Sequence, residues 1–356
     1  MQRWHGLDMI RLVSFFAIAI FHITFIHYNT IDMAIVEHSG LLAVVEVVTR
    51  ALAFSGFTIV FLACFLAAYS SMGRGSRLRL LAVLLIGWGV LVHLFWVTDS
   101  ATLPWDIYPL LLVGLLMMAI CERWPRLFGG MTALGALLLM IPFWALGNPL
   151  SLPPAAANIF GFAACSPAQS EWPVFPWIGL VWFGFGMGRV VRRTVDERPR
   201  QLRVGGVELA CWAGVLAASL PSLGAYYHVR LGPLFACDAY RQTPLAWWSH
   251  FVWVLMVVRL SFDPRVQTWL NGIRSARWVS SLAISRSFWL AYVVHLMLAF
   301  LLSDIVESSG IEQTSWNAGV ITTIAVLFLP MIEGTTRLLI FCRKIFGEWW
   351  QPSTAK

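Results

Sequence analysis

Long apolar stretches alternate with short polar or charged segments along the chain, which is typical of a protein that crosses a membrane many times. A membrane-spanning helix needs about 20 mainly apolar residues. Ten stretches of this character predict spans at residues 7–29, 41–71, 79–97, 106–121, 127–146, 174–191, 204–222, 245–262, 278–302 and 317–339. The second stretch is longer than one straight crossing requires, so we expect it to extend beyond the bilayer or to break near Ser55-Gly56. The pattern therefore predicts an all-α polytopic membrane protein of about ten transmembrane helices.

The composition supports this class and excludes several others. Hydrophobic residues make up 59% of the 356 residues, charged residues make up 12%, and the mean hydropathy is +0.73. A soluble domain has roughly 45–50% apolar and about 25% charged residues. This chain has too little charge to cover a water-soluble surface, which excludes a nucleic-acid-binding protein, a disulfide-rich mini-protein and a disordered chain.

The distribution of positive charge orients the predicted helices. If the N-terminus is cytoplasmic, 18 of the 25 Lys and Arg residues lie in or beside cytoplasmic segments, and the outer loops hold only Arg230 and Arg241. Such an excess marks the cytoplasmic side of membrane proteins. The pI near 9.4 therefore reports topology and does not indicate a nucleic-acid partner. We predict a transmembrane domain over residues 1–344, a short cytoplasmic tail over 345–356, and both termini in the cytoplasm.

The first predicted span carries the most informative set of polar side chains. Arg11 and His22 are eleven residues apart, so at about 100° per residue they lie on one face, about 16 Å apart along the axis. Asp8 precedes Arg11 by three residues on the same side and can pair with it. A neutral His is a common general base near neutral pH, so we single out His22 as a candidate base. The alternative is that His22 only hydrogen-bonds a neighbouring helix.

Two further groups of charges have both a structural and a functional interpretation. Glu46 and Arg50 are spaced for an ion pair on one helix face, and they either stabilise that helix or line the acceptor side of a site. Arg74, Arg77 and Arg79 surround a glycine at the predicted cytoplasmic side, where arginines can bind phosphate. The alternative for these three arginines is that they only set the topology.

The ninth predicted span adds a second polar group inside the membrane. Tyr292 and His295 are three residues apart and share a helix face, and Arg286 precedes them. They either hold helices together or contact a substrate. The six Cys residues show no metal-binding spacing, so we expect no metal site.

Taken in order, these motifs resemble those of the acyltransferase-3 family of membrane acyltransferases. The matching positions are Leu7-Asp8, Arg11 and His22, then Phe54-Ser-Gly-Phe57 and Arg74-x-x-Arg77, and finally Ser285-Arg286, Tyr292 and His295.

The sixth predicted span looks more like a sister branch, the heparan-α-glucosaminide N-acetyltransferase-like proteins. The similar positions are Pro176-Trp177-Ile178-Gly179, Gly184, Gly186, Gly188 and Arg189. Two positions depart from that branch: Leu12 stands where a Gly is usual, and Leu111 stands where a His is usual. In addition, Ser285 replaces the Gly that is usual in the ninth span.

The resemblance implies transfer of an acyl group, usually acetyl, from cytoplasmic acyl-CoA to a hydroxyl or amine of an extracytoplasmic sugar or glycan. It implies an integral protein of a bacterial cytoplasmic membrane, and it leaves oligomerisation open. Arg74, Arg77 and Arg79 would then hold the phosphates of acetyl-CoA. Arg11, held by Asp8, would position the thioester end or the pantetheine of the donor, while His22 would act as general base or carry the acyl group. The ninth-span pair Tyr292 and His295 would orient the acceptor or the carbonyl.

Two other classes of protein remain open on the sequence. A transporter or flippase of a glycolipid or sugar would also have many spans and charges in the membrane. Transporters often show paired repeat halves with broken helices, and no such pairing is evident here. A catalytically inactive relative is the third class, because the departures at Leu12 and Leu111 fall on family motifs.

Overall fold

Helices make up the regular structure of the described part of the chain, as the hydrophobic pattern predicts. The computed structural model describes residues 4–28, 55–69, 74–98, 107–124, 126–141, 146, 149–162, 173–229, 244–308 and 318–349. Within these ranges there is no β-strand.

The helices are labelled here in chain order. They are α1 His5–Tyr28, α2 Ser55–Tyr69, α3 Arg74–Thr98, α4 Ile107–Arg123, α5 Leu127–Leu138, α6 Pro154–Phe160, α7 Val174–Glu197, α8 Gly206–Val229, α9 Pro244–Ser261, α10 Pro264–Gly272, α11 Arg274–Ser281, α12 Ala283–Arg286, α13 Phe288–Ser308 and α14 Ala318–Trp349, with a 3₁₀ turn at Pro199–Leu202.

Two segments of the described chain are long and apolar enough to cross a membrane, namely α7 and the segment Arg200–Leu220 that enters α8. Shorter apolar stretches lie in α2, α3, α5, α9 and α13. Helix α8 also exposes apolar side chains along its length, and Val207 is 82% exposed. An apolar surface of this kind is stable in contact with lipid. The number of ten spans and the cytoplasmic position of both termini stay predictions.

Several helix ends differ from the predicted spans for reasons visible in the structure. Helix α7 continues to Glu197, six residues past the predicted end, and ion pairs link Arg192 to Asp196 and Arg193 to Glu197 one turn apart. Such pairs at i, i+4 support a helix outside the apolar region. Helix α3 begins at Arg74, where the sequence predicts a loop.

The predicted span over 278–302 is not one continuous helix, because the chain breaks twice there. Leu282 is extended (φ −63°, ψ 146°) and Ser287 is also non-helical (φ −128°, ψ 48°), so α11, α12 and α13 are separate helices. The broken stretch is rich in serine, whose side chain competes with the backbone for hydrogen bonds and lowers helix preference. A hydropathy pattern does not register such breaks, since it averages this short serine-rich stretch with the apolar residues around it.

The chain forms two compact units. Unit 1 comprises Met1–Leu7 and Gly56–Gly272, and unit 2 comprises Asp8–Ser55 and Ile273–Lys356. Each unit is described separately below. The predicted transmembrane domain over 1–344 and the cytoplasmic tail over 345–356 stay predictions.

Close backbone approach between α7 and α5 organises unit 1. A Cβ atom on Gly179 would lie 2.7 Å from the carbonyl oxygen of Gly135, and one on Gly135 would lie 2.6 Å from the carbonyl oxygen of Gly179. About two helical turns after Gly179, Gly186 has no side chain, and the side chain of Thr132 fills that space. Membrane helices associate through such small residues because lipid supplies little hydrophobic driving force between them.

The opposite side of α7 carries a second pair of glycines. A Cβ atom on Gly184 would lie 2.9 Å from the carbonyl oxygen of Phe61, and Gly188 lies against the carbonyl of Phe65 in the same way. Helix α7 is therefore in close contact with α5 on one side and with α2 on the other. This explains why its glycines recur along α7 at positions 179, 184, 186 and 188.

An anionic side chain joins two connecting segments of unit 1. The Oδ2 atom of Asp263 accepts hydrogen bonds from the backbone N–H of Val204 and from the Arg265 guanidinium, both at 2.8 Å. Its Oδ1 atom accepts from the backbone N–H of Arg265, also at 2.8 Å. The Arg265 hydrogen bond, with the backbone donors, holds the pKa of Asp263 well below its usual range. Arg259 reinforces the junction by donating to the carbonyl of Leu202 and pairing with Glu208.

Replacing Gly179 with alanine should destabilise unit 1. The added methyl group would press on the Gly135 carbonyl, and overpacking of this kind costs about 1–3 kcal/mol. The matched control is Gly214→Ala in α8, where a Cβ atom would meet nothing within 4 Å. We expect a lower melting temperature in detergent for Gly179→Ala and an unchanged or raised one for Gly214→Ala. Equal effects of the two substitutions would contradict the close packing.

Replacing Asp263 with alanine should lower stability in a pH-dependent way. The loss near pH 7 is expected to be about 3 kcal/mol, because a buried acceptor of four donor groups is removed. Since the folded pKa of Asp263 is depressed, its contribution is complete above the unfolded pKa of about 3.9 and is lost as the pH falls toward the folded value.

Melting temperatures measured from pH 3 to 8 in detergent check this expectation. The difference between the native chain and Asp263→Ala should be constant above about pH 5 and shrink below about pH 4. Glu197→Ala is the control, since its pair with Arg193 is exposed and should contribute little. A difference that does not depend on pH would show that the charge of Asp263 is not the stabilising feature.

Candidate active site

The charge pair predicted in the first helix is present in unit 2. Arg11 Nη1 lies 3.5 Å from Asp8 Oδ1, and Asp8 is buried. Phe15 follows one turn later on the same side of α1 and is fully buried. The three side chains thus form a stripe in which the carboxylate holds the guanidinium beside an apolar surface.

Helix α13 brings a matching set of side chains to this stripe. The Arg11 guanidinium carbon lies 5.4 Å from the centre of the Phe288 ring, a cation–π contact. The ring of Phe15 contacts Phe288 at 5.7 Å and His295 at 5.4 Å between centres, and Tyr292 lies 4.6 Å from His295. The Arg11 motif and the Tyr292–His295 motif, which are far apart in the sequence, are therefore parts of one cluster. We call it the Arg11–His295 cluster.

The backbone determines which nitrogen of His295 is basic. His295 Nδ1 lies 2.5 Å from the carbonyl oxygen of Tyr292, and a carbonyl can only accept, so Nδ1–H is the donor. In the neutral ring, Nε2 is then the unprotonated nitrogen. His295 is fully buried. The ring of His295 is thus held between Phe15, Tyr292 and the backbone of α13, and its part in catalysis stays a prediction.

The other candidate base, His22, lies on the same helix as Arg11. Helix α1 runs without a break from His5 to Tyr28, so the predicted spacing of Arg11 and His22 on one helical face holds for the backbone. The structure describes the backbone of His22 but not its side chain. Its role as general base stays a prediction.

The arginine cluster is placed differently from the predicted loop. Arg74 is the first residue of α3, and Arg77 and Arg79 lie in its first two turns. At about 100° per residue, Arg74 and Arg77 lie about 60° apart around the helix, whereas Arg79 is about 140° from Arg74. Backbone N–H groups at a helix N-terminus attract anions. The side chains of Arg74, Arg77 and Arg79 lie outside the described part, so their role in binding phosphate stays a prediction. Glu46 and Arg50 also lie outside the described residues.

Two hydroxyl groups of unit 2 are also buried, that of Ser285 in α12 and that of Thr336 in α14. The hydroxyl oxygens of Ser285 and Thr336 are buried and have no hydrogen-bond partner within the described residues. The hydropathy pattern singles out neither Thr336 nor its neighbour Glu333 in α14. A signal was available, because an ionisable residue inside an apolar stretch is expensive in a membrane and is a functional candidate by default. Over the described part of the chain, no group of His, Cys, Asp and Glu side chains could hold a metal ion.

Comparison with known proteins gives one match. Residues 3–221, more than half of the chain, match the family model described as heparan-alpha-glucosaminide N-acetyltransferase, catalytic. No curated protein and no solved structure matches the chain. The matched range contains Arg11, His22, the start of α3 and the glycines of α7, whereas Tyr292 and His295 lie beyond it.

Proposed function

Because the chain belongs to the heparan-alpha-glucosaminide N-acetyltransferase catalytic family of membrane acetyltransferases, we propose that it moves an acetyl group from cytoplasmic acetyl-CoA to a hydroxyl or amine of an extracytoplasmic sugar or glycan. The observation that carries this proposal is the Arg11–His295 cluster. There a carboxylate-held guanidinium and an imidazole of defined tautomer lie around the same aromatic rings. The compartment that we propose is a bacterial cytoplasmic membrane.

The donor would be held through its phosphates. Coenzyme A carries several phosphate groups, and Arg74 and Arg77 stand three residues apart at the N-terminus of α3. Arginine binds phosphate bidentately, and the positive end of the helix dipole adds to this attraction. Arg79 would contribute charge from a different side of the helix.

The transfer step assigns a role to each polar group. The acceptor's oxygen or nitrogen attacks the thioester carbonyl carbon, and the carbon–sulfur bond breaks. His22 takes the proton from the acceptor and passes it to the leaving thiolate, so that CoA departs as a thiol. Arg11 is placed to stabilise the negative charge that develops on the carbonyl oxygen or on sulfur. An acetyl group carried briefly by His22 is the alternative route, and it uses the same residues.

The acceptor side would draw on the other candidate residues. His295, buried beside Phe15 and Tyr292, would orient the acceptor or the thioester carbonyl. Tyr292 packs against it and can orient the acceptor or the thioester carbonyl. Glu46 and Arg50 are proposed to line the acceptor side. The lipid bilayer and the glycan acceptor are the partners that we propose.

Ligand-induced stabilisation tests donor binding separately from chemistry. A ligand that binds only the folded chain stabilises it by about 2.7 kcal/mol at 100 times its dissociation constant. We expect acetyl-CoA to raise the melting temperature of the detergent-purified native chain and of His22→Ala, but not of Arg74→Ala. Arg193→Ala is the matched control, since Arg193 is an exposed arginine paired with Glu197. Acetyl transfer to glucosamine, followed by release of the CoA thiol, should be lost in His22→Ala.

Each competing class of protein has its own outcome in this experiment. Full transfer activity of His22→Ala would exclude the general-base role. An equal shift in the native chain and Arg74→Ala would exclude that arginine as a donor ligand. Sugar movement across vesicles without acetyl-CoA would identify a transporter or flippase, and absence of both acetyl-CoA binding and sugar movement would identify an inactive relative.

A further inference from the structure

A carboxylate of α14 holds the first break in the predicted ninth span. Glu333 Oε1 accepts a hydrogen bond from the backbone N–H of Ala283 at 2.8 Å, and its Oε2 accepts one from the backbone N–H of Ile284 at 2.9 Å. The same carboxylate accepts a third bond from Arg337 Nε at 2.6 Å, one turn further along α14. All of these residues belong to unit 2.

The break at Leu282 leaves backbone N–H groups that require hydrogen-bond acceptors from elsewhere in the chain. Leu282 is extended, so α12 begins anew at Ala283, and the first N–H groups of a helix have no partner within that helix. Inside a membrane no water is available to satisfy them. Glu333, fifty residues away in the sequence, satisfies two of them with one charged group, and charge-assisted hydrogen bonds are the strong kind.

The position of α12 in turn determines where α13 begins. The backbone N–H of Ser287 donates to the carbonyl of Ala283 at 2.7 Å, and the N–H of Ala291 donates to the carbonyl of Ser287 at 3.0 Å. Phe288, the first residue of α13, carries the ring against which Arg11 lies. Hydrogen bonds therefore run from Glu333 through Ala283 and Ser287 to Ala291, in the first turn of α13, which begins with Phe288.

We propose that Glu333 is a positioning residue for the acetyl transfer: by capping α12 it sets the start of α13 and so aligns Phe288 and His295 with Arg11. The proposal rests on the proposed function, since it gives these residues a common reaction to serve. Glu333 itself does not contact substrate in this scheme. The arginines proposed to hold the donor phosphates belong to unit 1, so the alignment should affect the rate of transfer and leave donor binding unchanged.

The Glu333→Gln variant keeps a polar side chain of similar size at this position but weakens the hydrogen bonds to α12. A glutamine can accept from one N–H through its oxygen, but its NH₂ group faces the second N–H as a donor, so at least one bond is lost. Arg337→Gln is the matched control, because it removes the ion pair with Glu333 but leaves both cap bonds in place.

Three measurements on the full-length chain in detergent read out the effect. They are kcat and KM for acetyl transfer, the acetyl-CoA-induced shift in melting temperature, and the rate at which diethyl pyrocarbonate modifies His295, followed by mass spectrometry. For Glu333→Gln we expect a fall in kcat of at least about tenfold, as small displacements near reacting groups produce. The KM for acetyl-CoA and the melting shift should stay unchanged, and the normally buried His295 should become reactive. Arg337→Gln should behave like the native chain in all three measurements.

Several results would overturn the proposal. One is native kcat together with a protected His295 in Glu333→Gln, and another is an equal loss of kcat in Glu333→Gln and Arg337→Gln. If the native chain transfers no acetyl group, the proposed function fails. The reactivity of His295 in the two variants still decides whether Glu333 positions α13.

A second substitution tests the cap if Glu333→Gln does not fold. Ala283 is the first residue of α12, where proline fits the helix, and Leu282 already has the extended backbone that precedes proline. Ala283→Pro therefore removes one of the two N–H donors without touching Glu333. A lowered kcat with unchanged KM for acetyl-CoA is the expected result, and a native kcat would overturn the proposal.

Discussion

The hydrocarbon of a membrane contains no water, so each polar group placed there must find its partner within the protein. Two polar clusters within predicted spans meet this constraint. Asp8 holds Arg11, and the carboxylate of Glu333 satisfies the N–H groups of a broken helix. Asp263 lies beyond the predicted span over 245–262, but it is buried and likewise accepts from Val204 and Arg265. A polar residue in this chain is therefore best understood together with the donor or acceptor that it serves.

The second constraint is the weakness of hydrophobic attraction between helices that already lie in lipid. Unit 1 meets it by close approach, with Gly179 and Gly135 allowing α7 and α5 to touch through their backbones. Unit 2 uses rings and charge, with Phe15 and Phe288 packed against each other and Arg11 against Phe288. The two units thus illustrate two ways of holding apolar helices together. The packing in unit 2 also places the Arg11 guanidinium and the His295 imidazole beside aromatic rings.

Structural features that depend on neighbouring residues can be predicted from the sequence, whereas contacts between segments far apart in the chain cannot. The helical stripe of Asp8 and Arg11 depends only on a three-residue spacing, and the structure confirms their ion pair. The break at Leu282 was missed because its stabilising carboxylate comes from Glu333, fifty residues later, and a hydropathy pattern carries no such information. The start of α3 at Arg74 was missed for a different reason. Arginine favours a helix and glycine disfavours one, so this stretch predicts neither a loop nor a helix clearly.

The candidate site also joins two parts of the sequence that differ in their relation to known proteins. Arg11 and His22 lie within the range that matches the acetyltransferase family, whereas Phe288, Tyr292 and His295 lie beyond residue 221. In the structure, however, the Arg11 guanidinium lies on the Phe288 ring, and Phe15 touches His295. A guanidinium that stabilises a developing negative charge must be held at a defined place, because electrostatic stabilisation depends on preorganisation. The part of the chain outside the family match therefore supplies Phe288, on which Arg11 lies, and the role proposed for Arg11 depends on that contact.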